Sequence, residues 1–204
     1  MGCRQSSFEN HVAQDPVTDI IQTKNQYPVS GPGNEIMKPK GHGTYHKPVQ
    51  RRLRYGCDFA TADRICNYNR HFAESRGYFC SGRRRSPLMK AVDEAKRAKN
   101  KITFYDSNTG LPLFKAPMNR SWDAWLKESE AHGWPSFRDA EVNWDNVRAV
   151  SRGETVSVHG THLGHNLPDS KGNRYCINLC CIAGNPAEPT GNKVGVIDHR
   201  TSQS

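Results

Sequence analysis

From Ile102 onward the chain breaks into short apolar runs separated by turn residues, and this pattern restricts the fold more than any other feature. Ile102-Thr103-Phe104-Tyr105-Asp106 is a strand-length run rich in β-branched and aromatic side chains. Ser107-Asn108-Thr109-Gly110 is turn material, and Leu111-Pro112-Leu113-Phe114 begins a second run, so the three together predict a hairpin. Further strands are predicted near 145–150, 154–158 and 174–183. A helix interrupts them. Ser121 can cap its N-terminus, Trp122, Trp125, Leu126 and Ser129 share one face, and Gly133 follows His132 as a stop. Residues 101–186 therefore read as a mainly β domain with one internal helix.

The preceding half has a different texture. Hydrophobic residues make up 35% of the 204, and mean hydropathy is −0.82, so a core is expected over part of the length only. The net charge of +9 is uneven: residues 38–101 carry 17 Lys/Arg against 5 Asp/Glu, whereas residues 102–186 carry 8 against 9. A split of this kind gives one part that meets an anionic partner and another with a separate task. Residues 1–50 are punctuated by proline and glycine and are expected to be a flexible tether in which His42 and His46 are solvated. Residues 51–100 form a basic helical segment. Its first helix is expected over 58–76, capped by Asp58, with Ala62, Ile65, Tyr68 and Phe72 on one face and Gly77 as the stop; a second is expected over 87–98. Residues 187–204 read as a flexible tail.

The first residues, Met1-Gly2-Cys3-Arg4-Gln5-Ser6, fit the pattern for myristoylation of Gly2, and Cys3 is placed for palmitoylation. One myristoyl chain binds membranes weakly, so a second signal matters, and both Cys3 and the basic segment offer one. The expected location is the cytoplasmic face of an anionic membrane. No run approaches the ~20 apolar residues of a membrane helix, and no secretory leader pattern is read. The seven cysteines are odd in number and irregular in spacing, as expected of reduced thiols rather than a disulfide framework.

The residues that carry chemistry lie in the β half. Along Arg174-Tyr175-Cys176-Ile177-Asn178-Leu179, alternation sends Tyr175, Ile177 and Leu179 to a core face and Arg174, Cys176 and Asn178 to the other, which is expected to stay open. Arg174 sets a positive charge beside a group that reacts as an anion. His162 and His165 can supply a proton to a departing oxygen. Gly133-Trp134-Pro135-Ser136-Phe137 is a rigid turn whose aromatic pair can line an apolar pocket.

Taken in this order, Gly133–Phe137, His162–His165 and Arg174–Asn178 resemble the MsrB (SelR-type) methionine-R-sulfoxide reductases over roughly residues 101–184. The resemblance implies a tent of antiparallel β-sheets, here with a helical N-terminal extension. It implies Cys176 as the nucleophile toward protein-bound methionine-R-sulfoxide, His162 and His165 as the residues that orient and protonate the oxygen, and Arg174 and Asn178 as tuning residues. Trp134 would cradle the methyl group beside Phe137. Cys176 would be left as a sulfenic acid, to be recycled by an external, thioredoxin-like thiol reductant.

This chain departs from the family at several places. It lacks the two Cys-x-x-Cys pairs that hold a structural zinc in many members, the segment before His162 being Val156-Ser157-Val158-His159, so no zinc is expected. His132 stands where a resolving cysteine often precedes the Gly-Trp-Pro turn. Asn166-Leu167 follows the second histidine where Val-Phe is more usual, and the loop to Arg174 is short. For resolution of Cys176, Cys180 on an extended strand would be about 13 Å away, beyond the ~7 Å reach of a disulfide, and Cys181 would face the opposite side. Cys57, Cys66 and Cys80 remain as candidates, as does direct reduction. Two other readings stand beside the enzyme: a non-enzymatic membrane-recruited adaptor or redox sensor on the same fold, and nucleic-acid binding through the basic segment, for which no recognition motif is present.

Overall fold

The structure, a computed structural model, describes residues 27–81 and 86–187. The acylation positions Gly2 and Cys3, the run Arg83–Arg85 and the tail from residue 188 lie outside the described residues. The helices are α1 (Gly33–Ile36), α2 (Phe59–Asn67), α3 (Pro87–Arg97) and α4 (Trp122–His132); the strands are β1 (Ile102–Tyr105), β2 (Pro112–Ala116), β3 (Ser136–Phe137), β4 (Val147–Ala149), β5 (Glu154–Ser157), β6 (His162–Asn166) and β7 (Tyr175–Ile177). The architecture is two antiparallel sheets, a β1–β2 hairpin and a five-stranded sheet in the order β3-β7-β6-β5-β4. No described helix is long and apolar enough to cross a membrane.

Local signals operate where the sequence places them. The Asp58, Ser86 and Ser121 side chains accept from Thr61, Met89 and Ala124 backbone N–H groups and so start α2, α3 and α4. Gly133 ends α4 in the left-handed conformation at φ 90. The core is aromatic where the two sheets and α4 meet. Phe137 stacks on Phe114 at 4.4 Å between ring centres and lies 5.3 Å from Phe104 and 5.9 Å from Trp125. Phe137 is therefore a core residue and not a pocket wall. On β3 its neighbour Ser136 faces the site, so the alternation of a strand sends Phe137 inward.

Two expectations fail in the N-terminal half. The stretch expected as tether is packed from Tyr27: Ser30 bridges to Ala149, Met37 and Val49 are buried, and His42 Nε2 lies 2.8 Å from Asp63 rather than in solvent. Helix α2 stops at Asn67 rather than running to 76. The Asn67 carbonyl accepts from Thr44 N–H, and its side chain engages Asp63 and Asn108, so the backbone leaves the helix there. Residues 68–77 become an arm that crosses the five-stranded sheet. Some cations of the basic segment have partners within the fold. Arg54 donates to the Thr103 carbonyl, Arg76 to Ala131, Lys40 to Ile36 and Thr44, and Lys96 pairs with Asp123.

A third difference lies beyond β7. The strand expected through 183 ends at Ile177, and Leu179–Cys181 form a tight turn. The cause is Glu74. Its buried carboxylate accepts from Leu179 N–H (2.6 Å) and Cys180 N–H (3.0 Å), which satisfies the groups a longer strand would have offered to a neighbour. Cys180 and Cys181 consequently curl into the core, fully buried.

Candidate active site

Strand register builds the centre. Cys176 on β7 stands opposite His165 on β6 and opposite Ser136 on β3, so the thiol lies between two polar side chains on adjacent strands. Arg174, just before β7, donates through Nη1 to Cys176 Sγ, and the Ser136 hydroxyl is 3.8 Å from that sulfur. Cys176 is half-buried, but Arg174 (7% exposed) and Asn178 (2%) are covered, so the polar face of this segment is open at the thiol alone. Over Asn178 the cover is the 68–77 arm. Asn178 Oδ1 accepts from Glu74 N–H, and Asn178 Nδ2 donates to the Leu163 carbonyl, tying arm, β7 and β6 together.

The two histidines are three residues apart on a strand, a spacing that ordinary alternation would send to opposite faces. The β5–β6 register shifts between Thr155 and Val156, and this irregularity re-aims the strand so that both reach the same cavity. Their ring centres are 5.6 Å apart. Gly164 between them is required by close approach: a Cβ there would fall 2.1 Å from the Cys176 carbonyl oxygen. His162 is buried, and its Nδ1 lies 2.9 Å from Glu154 Oε1, which leaves Nε2 for a substrate. Burial raises the Glu154 carboxyl, but hydrogen bonds from His162 and Arg70 outweigh it and hold the group at about 2. Burial, reinforced by the neighbouring His162, lowers His165 below its ordinary value.

Cys176, both histidines, Asn178 and Trp134 line one cavity of about 250 Å³, closed on its other sides by His71, Phe72, Ala73 and Leu167. Trp134 is oriented by its ring N–H, which donates to the Glu74 carbonyl at 3.1 Å. Phe72 (63% exposed) and Leu167 (48%) form an apolar rim. The arm residues Arg70, His71, Phe72 and Glu74 were not recognised as part of the site from sequence. The available signal was the pair Asn67 and Asn69, weak helix formers that mark a helix end. Asn166 braces the strand: it donates to Asn173 Oδ1 and accepts from Arg174 N–H.

None of the three candidate resolving thiols lines the cavity. Cys66 is fully buried against Cys181, Cys57 is largely buried with its thiol raised well above the ordinary range by burial, and Cys80 donates to the Gly77 carbonyl at 3.3 Å. The donors in front of His162 do not suit zinc. Ser157 and Thr161 sit there without sulfur partners, and the Thr161 hydroxyl donates to the buried Asp106 carboxylate at 2.8 Å. Among the described residues no group of three or more His, Cys, Asp or Glu is placed to hold a metal ion.

The chain is similar to the peptide methionine sulfoxide reductase MsrB of Methanosarcina mazei, 31% identical over 100 residues that span 44% of this chain and 71% of that relative. It belongs to the MsrB family. The peptide methionine sulfoxide reductase MsrB of Pseudomonas putida is 36% identical over 91 residues, 39% of this chain and 62% of the relative. The mitochondrial methionine-R-sulfoxide reductase B3 of Mus musculus is 35% identical over 89 residues, 39% of this chain and 32% of the relative. The chain thus spans about a third of the mouse protein. No family model and no solved structure matches. This MsrB domain is a divergent member, as its missing Cys-x-x-Cys pairs indicate.

Proposed function

We propose that this MsrB domain reduces the R epimer of methionine sulfoxide in proteins, with Cys176 as the attacking thiol. The observation that carries the reading is the opening of the half-buried Cys176 thiol, flanked by Arg174 and Ser136, onto the cavity that also holds His162, His165 and Trp134. The Cys176 thiolate attacks the sulfoxide sulfur, and the oxygen takes a proton from the histidine side of the cavity. The substrate's sulfur–oxygen bond breaks as the oxygen passes to the Cys176 sulfur, the bond between Cys176 and the substrate sulfur breaks in turn, and methionine leaves with Cys176 as a sulfenic acid. Trp134 packs the methyl group, while Asn178 and Arg174 keep the thiol in place.

A second thiol then condenses with the sulfenic acid, releasing water and leaving a disulfide that a thioredoxin-like dithiol reduces. Because Cys57, Cys66 and Cys80 lie away from the cavity, we assign resolution to the external reductant. The reaction as proposed needs no zinc. Acylation at Gly2 and Cys3 with the basic segment would hold the enzyme at an anionic membrane surface. The test is reduction of a peptide carrying methionine-R-sulfoxide, with dithiothreitol as reductant and the S epimer as control. Turnover of the R epimer alone, abolished by Cys176→Ser, is expected. An inactive wild-type protein overturns the reading and leaves a non-catalytic adaptor.

A further inference from the structure

We propose that Cys66 and Cys181 form a reversible disulfide that staples α2 to the turn behind the catalytic strand. The two sulfurs lie 2.8 Å apart, so reaching the disulfide bond length of about 2.05 Å requires a movement of less than an ångström. The third buried sulfur, on Cys180, is 3.9 Å from Cys181. Nothing in the proposed reaction uses this cluster. Small apolar side chains would fill the same core volume without bringing two sulfurs into contact.

Position gives the pair its consequence. Cys66 is the penultimate residue of α2, directly before the arm that supplies His71, Phe72 and Ala73 to the cavity wall. Cys181 ends the turn whose N–H groups Glu74 binds. A bond between them closes a loop of 115 residues and joins the end of α2, where the arm begins, to the turn after β7. Both thiols have no exposed surface, so oxidant meets them when the last turn of the short helix α2 opens. The oxidant is a hydroperoxide. One thiolate takes an oxygen from hydrogen peroxide and becomes a sulfenic acid, with water released. The second thiol displaces a second water and forms the S–S bond. Two electrons pass from sulfur to peroxide oxygen, and both thiol protons end in water.

The test uses the full-length Cys176→Ser protein, so that its outcome is independent of reductase activity. The reduced protein is treated with hydrogen peroxide, quenched with N-ethylmaleimide, digested without reductant and analysed by mass spectrometry. The expected product joins the Cys66 peptide to the peptide carrying Cys180 and Cys181, with fragmentation placing the bond on Cys181. The melting midpoint is expected to rise by roughly 10 °C and to fall again with dithiothreitol. Recovery of Cys66 and Cys181 fully alkylated, both in buffer and in dilute urea that opens α2, overturns the proposal. So does a bond from Cys66 to Cys57, Cys80 or Cys180.

Discussion

The centre of the five-stranded sheet and the arm over residues 68–77 meet at the same cavity but reach it by different physical routes. In the sheet, hydrogen-bond register alone sets Cys176 opposite His165 and Ser136, and a bulge brings His162 to the same side. The arm has no ladder to fix it. It is held by separate polar contacts: the Arg70–Glu154 ion pair, the Glu74 carboxylate on the Leu179 and Cys180 N–H groups, and the Glu74 N–H on Asn178. The sheet therefore supplies the groups assigned to the proposed reaction, and the arm supplies their cover, orientation and apolar rim. A ladder distributes its energy over many bonds, whereas the arm concentrates it in a few buried ones.

If that contrast is right, the largest effect on stability comes from the arm's main anchor. Glu74→Ala leaves two buried N–H groups without an acceptor and is expected to lower unfolding free energy by about 3 kcal/mol, read from urea titration. Burial pushes the Glu74 carboxyl well above the ordinary range, the neighbouring Cys180 adding to it, as expected of an anchor enclosed in the core. A loss too small to measure would show that the arm is held elsewhere.

Glu154→Gln comes next. It keeps the volume beside His162 but removes the charge, and kcat/KM for the R-sulfoxide peptide is expected to fall by roughly 10-fold while the fold survives. The pH dependence gives an independent reading. The folded Glu154 value of about 2 lies below the ordinary 4.5, so its stabilisation is present above pH 4.5 and is lost as pH falls toward 2. The wild-type melting midpoint should drop across that window, and the Glu154→Gln midpoint should drop less. Equal slopes would remove Glu154 from the account of His162.

The smallest effect is expected at the rim. Phe72→Ala should raise KM by roughly 3- to 10-fold with kcat nearly unchanged, because Phe72 touches the mouth of the cavity and not the reacting sulfur. An equal fall in kcat would mean that the arm takes part in the transition state, and the division between sheet and arm would fail.

The sheet was largely legible beforehand because its information is local. The hairpin at 102–114, the cap of Ser121, the stop at Gly133 and the inward Tyr175 and Ile177 follow from alternation and turn chemistry read along the chain. The two misplaced element ends share one cause, which is competition from distant partners. The strand at 174 stops early because Glu74, about a hundred residues upstream, captures its N–H groups. The helix at 58 stops early because Thr44 and Asn108 engage Asn67. Phe137 was placed in the pocket although the two-residue rhythm of a strand, applied from Ser136, would have sent it inward.

By itself the sequence determined the family, the thiol, its arginine and the pair of histidines, because these are contiguous motifs whose chemistry follows from residue type and spacing. Only the tertiary structure decided what encloses them. Phe72, His71 and Leu167 reach the cavity, and Cys66 reaches Cys181, through long-range contacts whose energy is shared among groups far apart in the chain. No local pattern carries that information, since each of these side chains is individually suited to an ordinary helix, loop or core.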